Sequence, residues 1–324
     1  MADTQIIRQP IENELKEFTA MFRESLTHTD GMLNEALQHI LNRAGKMMRP
    51  MLVMLIAKYY GKVSHVTLSG AIGLELLHTA SLVHDDVVDE SLERRGQPSI
   101  NAIYNNKVSI LVGDYILSTA LCYVGNTGNI NILRYLAELG QVLAHGEIDQ
   151  LSTISDQVIS EEKYYNVIRQ KTAALFAACA KIGAISANAT DEEIDEAAKF
   201  GETLGIIFQI KDDIFDYFDS KQLGKPTGND MTEGKLTLPA IHALLSTNDA
   251  EMMDLAKKVK ARTISDDEIA RLVAFTKQNG GIAYAEEKME EFKLQAQSYI
   301  KKCRNDEIKS ALSEYLNYVI ERNY

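Results

Sequence analysis

Residues 74–89, LELLHTASLVHDDVVD, decide the fold: an apolar segment with helical spacing runs directly into the acidic motif Asp85-Asp86-Val87-Val88-Asp89. A second stretch, residues 204–216, LGIIFQIKDDIFD, repeats this arrangement and ends in Asp212-Asp213-Ile214-Phe215-Asp216. Aspartates at positions i and i+4 lie one turn apart on the same helix face, where like charges destabilise the helix. Two motifs with this cost predict that metal cations are bound between them.

The composition of the chain limits the class of protein to which it can belong. It has 324 residues, a net charge of -12 and 45% hydrophobic residues, and such an acidic protein is a poor partner for nucleic acid. Its first residues lack an apolar core segment and no run approaches about 18 apolar residues, so we expect neither a signal peptide nor a transmembrane segment. Three widely separated cysteines match no zinc spacing and predict buried, reduced thiols in a cytoplasmic protein.

The spacing of apolar residues predicts an all-α protein. They recur at i, i+3, i+4 and i+7 through most of the chain, while alternating strand patterns are scarce, and we expect roughly ten or more helices. Pro50 suits the first turn of a helix, and Thr190 with Glu193 has the spacing of a capping box. No Pro- or Ser-rich linker divides the chain, which predicts one domain over residues 1–324. Residues 219–235 are the exception, a long polar loop whose length is typical of a functional or a disordered segment.

Basic loops that contain glycine and proline follow both acidic motifs. Mg²⁺ keeps several waters and is usually held by one or two carboxylates together with phosphate oxygens, so paired carboxylate clusters suit a bound diphosphate. Calcium and zinc suit the motifs less, because no EF-hand pattern and no Cys or His ligand spacing accompanies them. Seven cations could complete the charge balance by binding phosphate: Lys46, Arg49, Arg94, Arg95, Lys171, Lys225 and Lys235.

Two weaker signals lie near the first motif. His78 precedes Asp85 by about two helical turns and so projects from the same face, where it could donate to phosphate or be an ordinary core residue. The segment GKMMRP, residues 45–50, places Lys46 and Arg49 before a helix whose free N–H groups favour an anion. Alone, so short a match would be a solvated basic turn.

Together these residues resemble the trans-polyprenyl diphosphate synthase family. The resemblance covers residues 45–239, and its motifs occur in the family's order: GKMMRP, LLHTASLVHDDVVDESLERRGQPS, VGDY, GEIDQ, the pair Lys171-Thr172, FQIKDDIFD, GKPTGND and KLTLP. It implies an isoprenoid synthase-type bundle of antiparallel helices around a deep central cavity. The two acidic motifs would face each other at its mouth.

The resemblance also implies roles for individual residues. About three Mg²⁺ ions per site would be ligated by Asp85, Asp89 and Asp212, with support from Asp86, Asp213 and Asp216. An allylic prenyl diphosphate would be held by Arg94, Lys171, Thr172, Gln209 and Lys235. Isopentenyl diphosphate would be held by Lys46, Arg49, His78 and Arg95. No aspartate would act as a general acid or base, because the allylic cation forms as diphosphate leaves and the family delivers the proton to that diphosphate.

Small residues near the first motif bear on product length. Ala80 and Ser81 lie about one turn before Asp85, where short-chain members of the family carry an aromatic stopper, so the resemblance implies a long, octaprenyl-like product of about six to ten isoprene units for quinone side chains. These residues could instead serve close helix packing. The floor of the cavity is left unassigned among four candidates: Leu74, Leu77, Leu139 and Leu143.

Three other functions remain open on the sequence alone. A short-chain farnesyl or geranylgeranyl diphosphate synthase would differ only in the residues that line the cavity. A class I terpene cyclase shares one acidic motif, but the paired motifs and the cations for a second diphosphate disfavour it. A noncatalytic subunit of a heteromeric synthase typically has one degraded motif, whereas both are intact here. The resemblance implies a homodimer.

Overall fold

The computed structural model describes residues 4–29, 31–42, 45–94, 96–152, 158–218 and 227–322, and helices dominate it as the apolar spacing predicted. The helices α1 to α17 are, in chain order, Thr4–Arg8, Glu12–Ser25, Gly31–Leu41, Met48–Tyr60, His65–Val88, Ile100–Ile103, Asn106–Gly125, Ile130–Ser152, Glu161–Ile168, Ala174–Ser186, Asp191–Phe215, Asn229–Thr232, Leu238–Thr247, Ala250–Lys260, Asp266–Gln278, Gly281–Lys301 and Asp306–Glu321. A 3₁₀ turn occupies Gln9–Ile11 and a π-helical turn Arg169–Ala173. The strands β1 (Glu93–Arg94) and β2 (Gln97–Pro98) form a small antiparallel hairpin in the basic loop after the first motif.

The two helices that carry the acidic motifs, α5 and α11, lie in the centre of the bundle. Helix α5 packs on α4, α7 and α10, and α11 packs on α10, α16 and α17. A second, smaller hydrophobic cluster joins α12 to α15. Leu236 and Ile282 pack against both clusters and so connect them.

Glycines allow the helices next to the site to approach closely. A Cβ atom at Gly201 would lie 2.3 Å from the Phe176 carbonyl oxygen, and one at Gly205 would lie 2.5 Å from Ala173 Cα. Real Cβ atoms do not tolerate such distances, so only glycine permits this contact between α11 and the chain before it. The π-helical turn is thereby held against the second acidic stretch.

The local predictions have mixed outcomes. Pro50 lies in the first turn of α4, and Thr190 with Glu193 forms the capping box that begins α11, as expected. Residues 219–226 of the predicted loop 219–235 lie outside the described residues. The loop prediction was wrong at Asn229–Thr232, which form the helix α12. The three cysteines are unpaired, but Cys122 is exposed, contrary to the expectation that all are buried.

Two helices are long and apolar enough to span a membrane by length and composition alone. In α5, 72% of the apolar window is buried inside the bundle, as in a core helix of a soluble protein. In α7 the buried share is 33%, and side chains such as Ile110, Leu111 and Leu121 are exposed. This outer face of α7 is therefore apolar and uncovered in the single chain.

Candidate active site

Both acidic motifs lie at the C-terminal ends of their helices. Helix α5 ends at Val88 with Asp89 as its C-cap, and α11 ends at Phe215 with Asp216 as its C-cap. The N–H group of Asp89 donates to the Asp85 carbonyl oxygen at 2.8 Å, so the two side chains remain one helical turn apart as predicted. A helix C-terminus carries partial negative charge, which disfavours aspartate by about 0.3–1 kcal/mol. The motifs therefore need cations for two reasons, mutual repulsion and the helix dipole.

Asp85 lies in an environment with an excess of negative charge. Burial and the nearby Glu147 carboxylate raise the pKa of Asp85 to about 6, and Asp89 adds to the effect. Lys171 opposes it, but its Nζ atom lies 2.8 Å from Glu147 Oε2, so part of its charge is already neutralised. A further cation at this place would favour the ionised carboxylate.

The second aspartate of the first motif holds the hairpin. Arg94 Nε donates to Asp86 Oδ1 at 2.7 Å, and the Asp86 side chain is almost fully buried. Asn101 Nδ2 donates to the Asp86 carbonyl oxygen at 3.1 Å. Asp86 thus anchors the loop that carries Arg94.

The second aspartate of the second motif is the centre of a buried network. Asp213 is only 2% exposed and accepts hydrogen bonds from Tyr164 Oη at 2.6 Å and from Gln209 Nε2 at 2.9 Å. Thr172 Oγ1 in turn donates to Gln209 Oε1 at 2.7 Å. Burial, then the charge of Asp230, raises the pKa of Asp213 to about 8, while the two hydrogen bonds act in the opposite direction.

The third aspartate of the second motif turns away to a neighbouring helix. Asp216 accepts hydrogen bonds from the backbone N–H groups of Asn229 at 3.0 Å and Asp230 at 3.2 Å, at the start of α12. Burial, then the charge of Asp216, raises the pKa of Asp230 to about 6. Asp230 was not predicted, although it lies within the quoted motif GKPTGND.

Lys235 connects the two motifs electrostatically. Burial would lower its pKa, but the hydrogen bond from Lys235 Nζ to Glu233 Oε2 at 2.6 Å and the charges of Glu233, Asp230 and Asp89 raise it overall. Asp89 belongs to the first motif and Asp230 adjoins the second. Lys235 therefore lies within electrostatic reach of both motifs.

Arg322, which follows the last helix, pairs with the second motif and was missed by the sequence. Its Nη2 atom donates to Asp212 Oδ1 at 2.5 Å and to the Phe208 carbonyl oxygen at 2.8 Å, and its guanidinium lies 3.5 Å above the Phe208 ring. The side chain is 14% exposed and its buried Nε atom has no hydrogen-bond partner. Arg322 thus supplies a positive charge to a carboxylate expected to bind metal.

Two cavities adjoin the motifs. The larger, about 440 Å³, is lined among others by five basic residues: Lys46, Arg49, His78, Arg94 and Arg322. The smaller, about 300 Å³, is lined among others by Lys171, Thr172, Gln209, Asp213 and Lys235. Arg94, expected beside Lys171, instead lines the cavity of Lys46 and Arg49. Arg95 and Lys225 lie outside the described residues.

The predicted anion site before α4 faces the larger cavity. Met47 has a left-handed backbone, with φ of 58°, and places Lys46 and Arg49 on either side of the turn that begins the helix. Lys46 Nζ lies 5.3 Å from the centre of the Tyr318 ring, and Arg49 Nη1 lies 3.7 Å from Glu75 Oε1. Arg49 Nε is buried without a hydrogen-bond partner, which suits an incoming anion.

The two candidate chain-length residues lie on α5 between His78 and the first motif. Ala80 is buried in the main core, and the half-buried Ser81 donates from Oγ to the His78 carbonyl oxygen at 2.9 Å. The serine hydroxyl is therefore satisfied by its own helix.

The carboxylates suit Mg²⁺ held jointly with a substrate rather than a closed protein cage. Among the described residues, no group of three or more His, Cys, Asp or Glu side chains is arranged to hold a metal ion. Asp86, Asp212, Asp213 and Asp216 bond to protein groups. Oxygen donors at a helix end, with a pKa raised at Asp85, match a hard cation that takes its other ligands from water and phosphate.

An all-α bundle with two acidic motifs between basic cavities defines a class of enzyme, the prenyl synthases. The model of the polyprenyl synthetase family matches residues 30–276, and the chain belongs to this family. It is 40% identical over 241 residues to the octaprenyl diphosphate synthase of Escherichia coli, covering 74% of each chain.

Two solved structures resemble the whole chain. One is a geranylgeranyl pyrophosphate synthase from Bacteroides thetaiotaomicron, with 51% identity, a TM-score of 0.87 and coverage of 98% of this chain and 99% of that one. The other is a decaprenyl diphosphate synthase from Rhodobacter capsulatus, with 32% identity, a TM-score of 0.89 and coverage of 97% and 98%. The expected fold is confirmed, and the chain is a prenyltransferase by family.

Proposed function

We propose that this chain is a long-chain trans-polyprenyl diphosphate synthase, which adds isopentenyl diphosphate repeatedly to an allylic prenyl diphosphate. The observations that carry the proposal are that the charges of Asp89 and Asp230, from the two motif regions, both raise the pKa of Lys235, and that Arg322, which lines the same cavity as Lys46, donates to Asp212. One carboxylate-rich space between two basic cavities suits two diphosphates that react with each other.

The two cavities suggest where each substrate binds. The smaller offers Lys171 and Lys235 beside the metal-binding aspartates, which suits the allylic diphosphate that must ionise. The larger offers Lys46, Arg49 and His78 for isopentenyl diphosphate. Arg94 lines the larger cavity and forms an ion pair with Asp86 of the first motif. It would therefore lie close to both diphosphates.

Mg²⁺ would be held by Asp85, Asp89 and Asp212, with about three ions per site when substrate is bound. When bound, it would supply charge neutralisation for the departing diphosphate. The protein's own cations, Lys171 and Lys235, would stabilise the same charge from fixed positions. The apolar walls would exclude water from the allylic cation until the isopentenyl double bond attacks it. The new chain would then lose a proton to the released diphosphate.

The product is expected to be long, roughly C30 to C50 and octaprenyl-like, for quinone side chains. The relative from E. coli is named an octaprenyl diphosphate synthase, and Ala80 and Ser81 place no bulky side chain one turn below Asp85. A second candidate function is that of a geranylgeranyl diphosphate synthase. It is favoured by the solved structure with 51% identity, which is named a geranylgeranyl pyrophosphate synthase.

The assembly and location belong to the same proposal. The exposed apolar face of α7, with Ile110, Leu111 and Leu121, would be covered by a second copy in a homodimer. The enzyme would act in the cytoplasm and hand its product to the membrane. Size determination by light scattering would test the dimer, and a monomer at micromolar concentration would contradict it.

One experiment tests the activity and the product length together. The purified protein is incubated with Mg²⁺, farnesyl diphosphate and labelled isopentenyl diphosphate, and the dephosphorylated products are sized by chromatography. We expect C30 to C50 chains and complete loss of turnover with EDTA. A C20 product would favour the second candidate. Diphosphate release without uptake of label would contradict both.

A further inference from the structure

The larger cavity contains a carboxylate that the proposed mechanism does not use. Glu75 lines this cavity together with Arg49 and His78. It lies eleven residues before Asp86 on the same helix, which is about three helical turns further from the first motif. A carboxylate in a cavity assigned to a diphosphate needs an explanation, because it repels the anion that the cavity would bind.

Glu75 forms an ion pair with Arg49. Glu75 Oε1 lies 3.7 Å from Arg49 Nη1, and both side chains are mostly buried. In the part of the chain that the structure describes, no other carboxylate lies within ion-pair distance of this guanidinium. The separation is longer than a hydrogen bond, so charge holds the pair together and the N–H groups of Nη1 stay available for a ligand.

Each member of the pair also has a buried polar atom that lacks a hydrogen bond. Arg49 Nε and Glu75 Oε2 find no hydrogen-bond partner among the described residues. Such atoms are rare inside proteins, and two of them in one cavity indicate a place that water or a ligand completes. Arg49 is therefore attracted by a fixed charge but not yet fully bonded.

The ion pair lies against a closely packed wall. Tyr315 is fully buried, and its hydroxyl donates to the Met48 carbonyl oxygen at 3.2 Å. Burial raises the pKa of this hydroxyl; Arg49 opposes the effect and Glu75 adds to it, so both charges lie close to Tyr315. The tyrosine proton is already committed to the backbone. The open side of Arg49 is thus the side that faces the cavity.

We propose that Glu75 is a positioning residue that holds the Arg49 guanidinium in place for the diphosphate of isopentenyl diphosphate. The inference rests on the proposed function, which assigns the larger cavity to this substrate. Three other cations line the cavity, Lys46, Arg94 and Arg322. Without Glu75 they would repel the Arg49 guanidinium, which would move towards water. Substrate would then have to bring it back, a cost in conformational freedom that a pre-organised side chain avoids.

Glu75 acts on substrate binding in two opposite ways. It repels the diphosphate directly, and it keeps the arginine where the diphosphate needs it. The repulsion is largely offset, because the guanidinium that the diphosphate contacts is the partner of the same carboxylate. We therefore expect placement of Arg49 to outweigh repulsion, and the direction of the change in KM distinguishes the two effects.

A second glutamate provides a matched control. Glu138 Oε1 lies 3.8 Å from Arg134 Nε, in an exposed pair that does not line the larger cavity. Glu138→Gln thus removes the same charge from an ion pair with nearly the same separation. We expect wild-type kinetics for Glu138→Gln, because an exposed pair of this kind contributes little.

The test compares Glu75→Gln with Glu138→Gln in the full-length enzyme with Mg²⁺, farnesyl diphosphate and isopentenyl diphosphate. We expect the KM for isopentenyl diphosphate to rise about tenfold in Glu75→Gln. Its kcat and its KM for farnesyl diphosphate should be unchanged, a separation that general loss of structure would not give. In Arg49→Gln, adding Glu75→Gln should raise the KM no further, because Glu75 acts through Arg49.

Several results would overturn the inference. A lower KM for isopentenyl diphosphate in Glu75→Gln would show that repulsion dominates, and an unchanged KM or additive losses in the double variant would refute the link to Arg49. If Glu75→Gln proves unfolded by circular dichroism, Glu75→Asp decides, since it keeps the charge but draws it back from Arg49. Its KM should also rise, and a wild-type value would contradict the positioning role. Absence of polyprenyl product from the wild-type enzyme would instead refute the proposed function.

Discussion

Replacing Arg322 by glutamine should strengthen the binding of Mg²⁺ to the substrate-free protein. In the structure the Arg322 guanidinium lies 2.5 Å from Asp212 Oδ1, so a metal ion that takes this carboxylate must first displace it. Glutamine keeps a polar side chain of similar length but removes the charge. The change therefore tests competition between two cations for one aspartate.

The magnitude follows from the strength and exposure of the pair. A hydrogen bond between charged groups contributes about 1.5–3 kcal/mol, and the lower end applies because Asp212 is 30% exposed. Displacement of the guanidinium then weakens metal binding by about 1.4 kcal/mol, a factor of about ten in the dissociation constant. By the same linkage, metal-free Arg322→Gln should be about 1.5 kcal/mol less stable than wild type, and saturating Mg²⁺ should remove the difference.

The assay is calorimetric titration of Mg²⁺ into the substrate-free protein, with urea denaturation at zero and saturating metal. Arg304→Gln is the control, because Arg304 is an exposed arginine before the same C-terminal helix. We expect about tenfold tighter metal binding in Arg322→Gln alone. Equal or weaker binding would refute the idea that Arg322 and the metal compete.

Four further outcomes are expected. Asp85→Ala and Asp212→Ala should each abolish turnover with unchanged helical content by circular dichroism, and near-normal turnover in either would contradict the metal assignment. Ala80→Phe should shorten the product in the sizing assay, since Ala80 is buried one turn below Asp85; an unchanged length would place the growing chain elsewhere. Burial raises the pKa of Asp85 from 3.8 to about 6, so the metal-free protein should lose stability as pH rises through this range. The free energy of unfolding of Asp85→Asn should therefore exceed that of wild type by about 1–2 kcal/mol at pH 7 and equal it below pH 4. For the same reason the Mg²⁺ concentration needed for half-maximal turnover should rise as pH falls below about 6, and a constant value down to pH 5 would argue against Asp85 as a ligand.

The features that sequence could predict are those set by neighbours along the chain. Apolar spacing fixed α5 and α11, and the capping pair Thr190 and Glu193 fixed where α11 begins. The need for a cation also follows from local spacing, because Asp85 and Asp89 repel each other within one turn. Such interactions span only three or four residues, so a pattern in the sequence contains all the information they need.

The features that sequence could not predict depend on distant packing. Arg322 reaches Asp212 across 110 positions, and Tyr164 reaches Asp213 across 49, so neither pair leaves a local pattern. The π-helical turn that presents Thr172 likewise depends on the close approach of α11 at Gly205. An arginine near a chain end and a tyrosine in an amphipathic helix are ordinary residues until the fold places them.

The two adjacent aspartates of each motif make different contacts because they point in different directions from the helix. Neighbouring positions on a helix point about 100° apart, so Asp85 and Asp86 cannot both face the same space, and neither can Asp212 and Asp213. In both motifs it is the second aspartate that is buried and bonded, to Arg94 in one case and to Tyr164 and Gln209 in the other. Each buried carboxylate thereby fixes the segment that carries other site residues, the hairpin or α9, while its neighbour remains at the mouth. If the first aspartate of each pair binds metal as proposed, the second provides its support, which would account for two consecutive charges in a helix that either one destabilises.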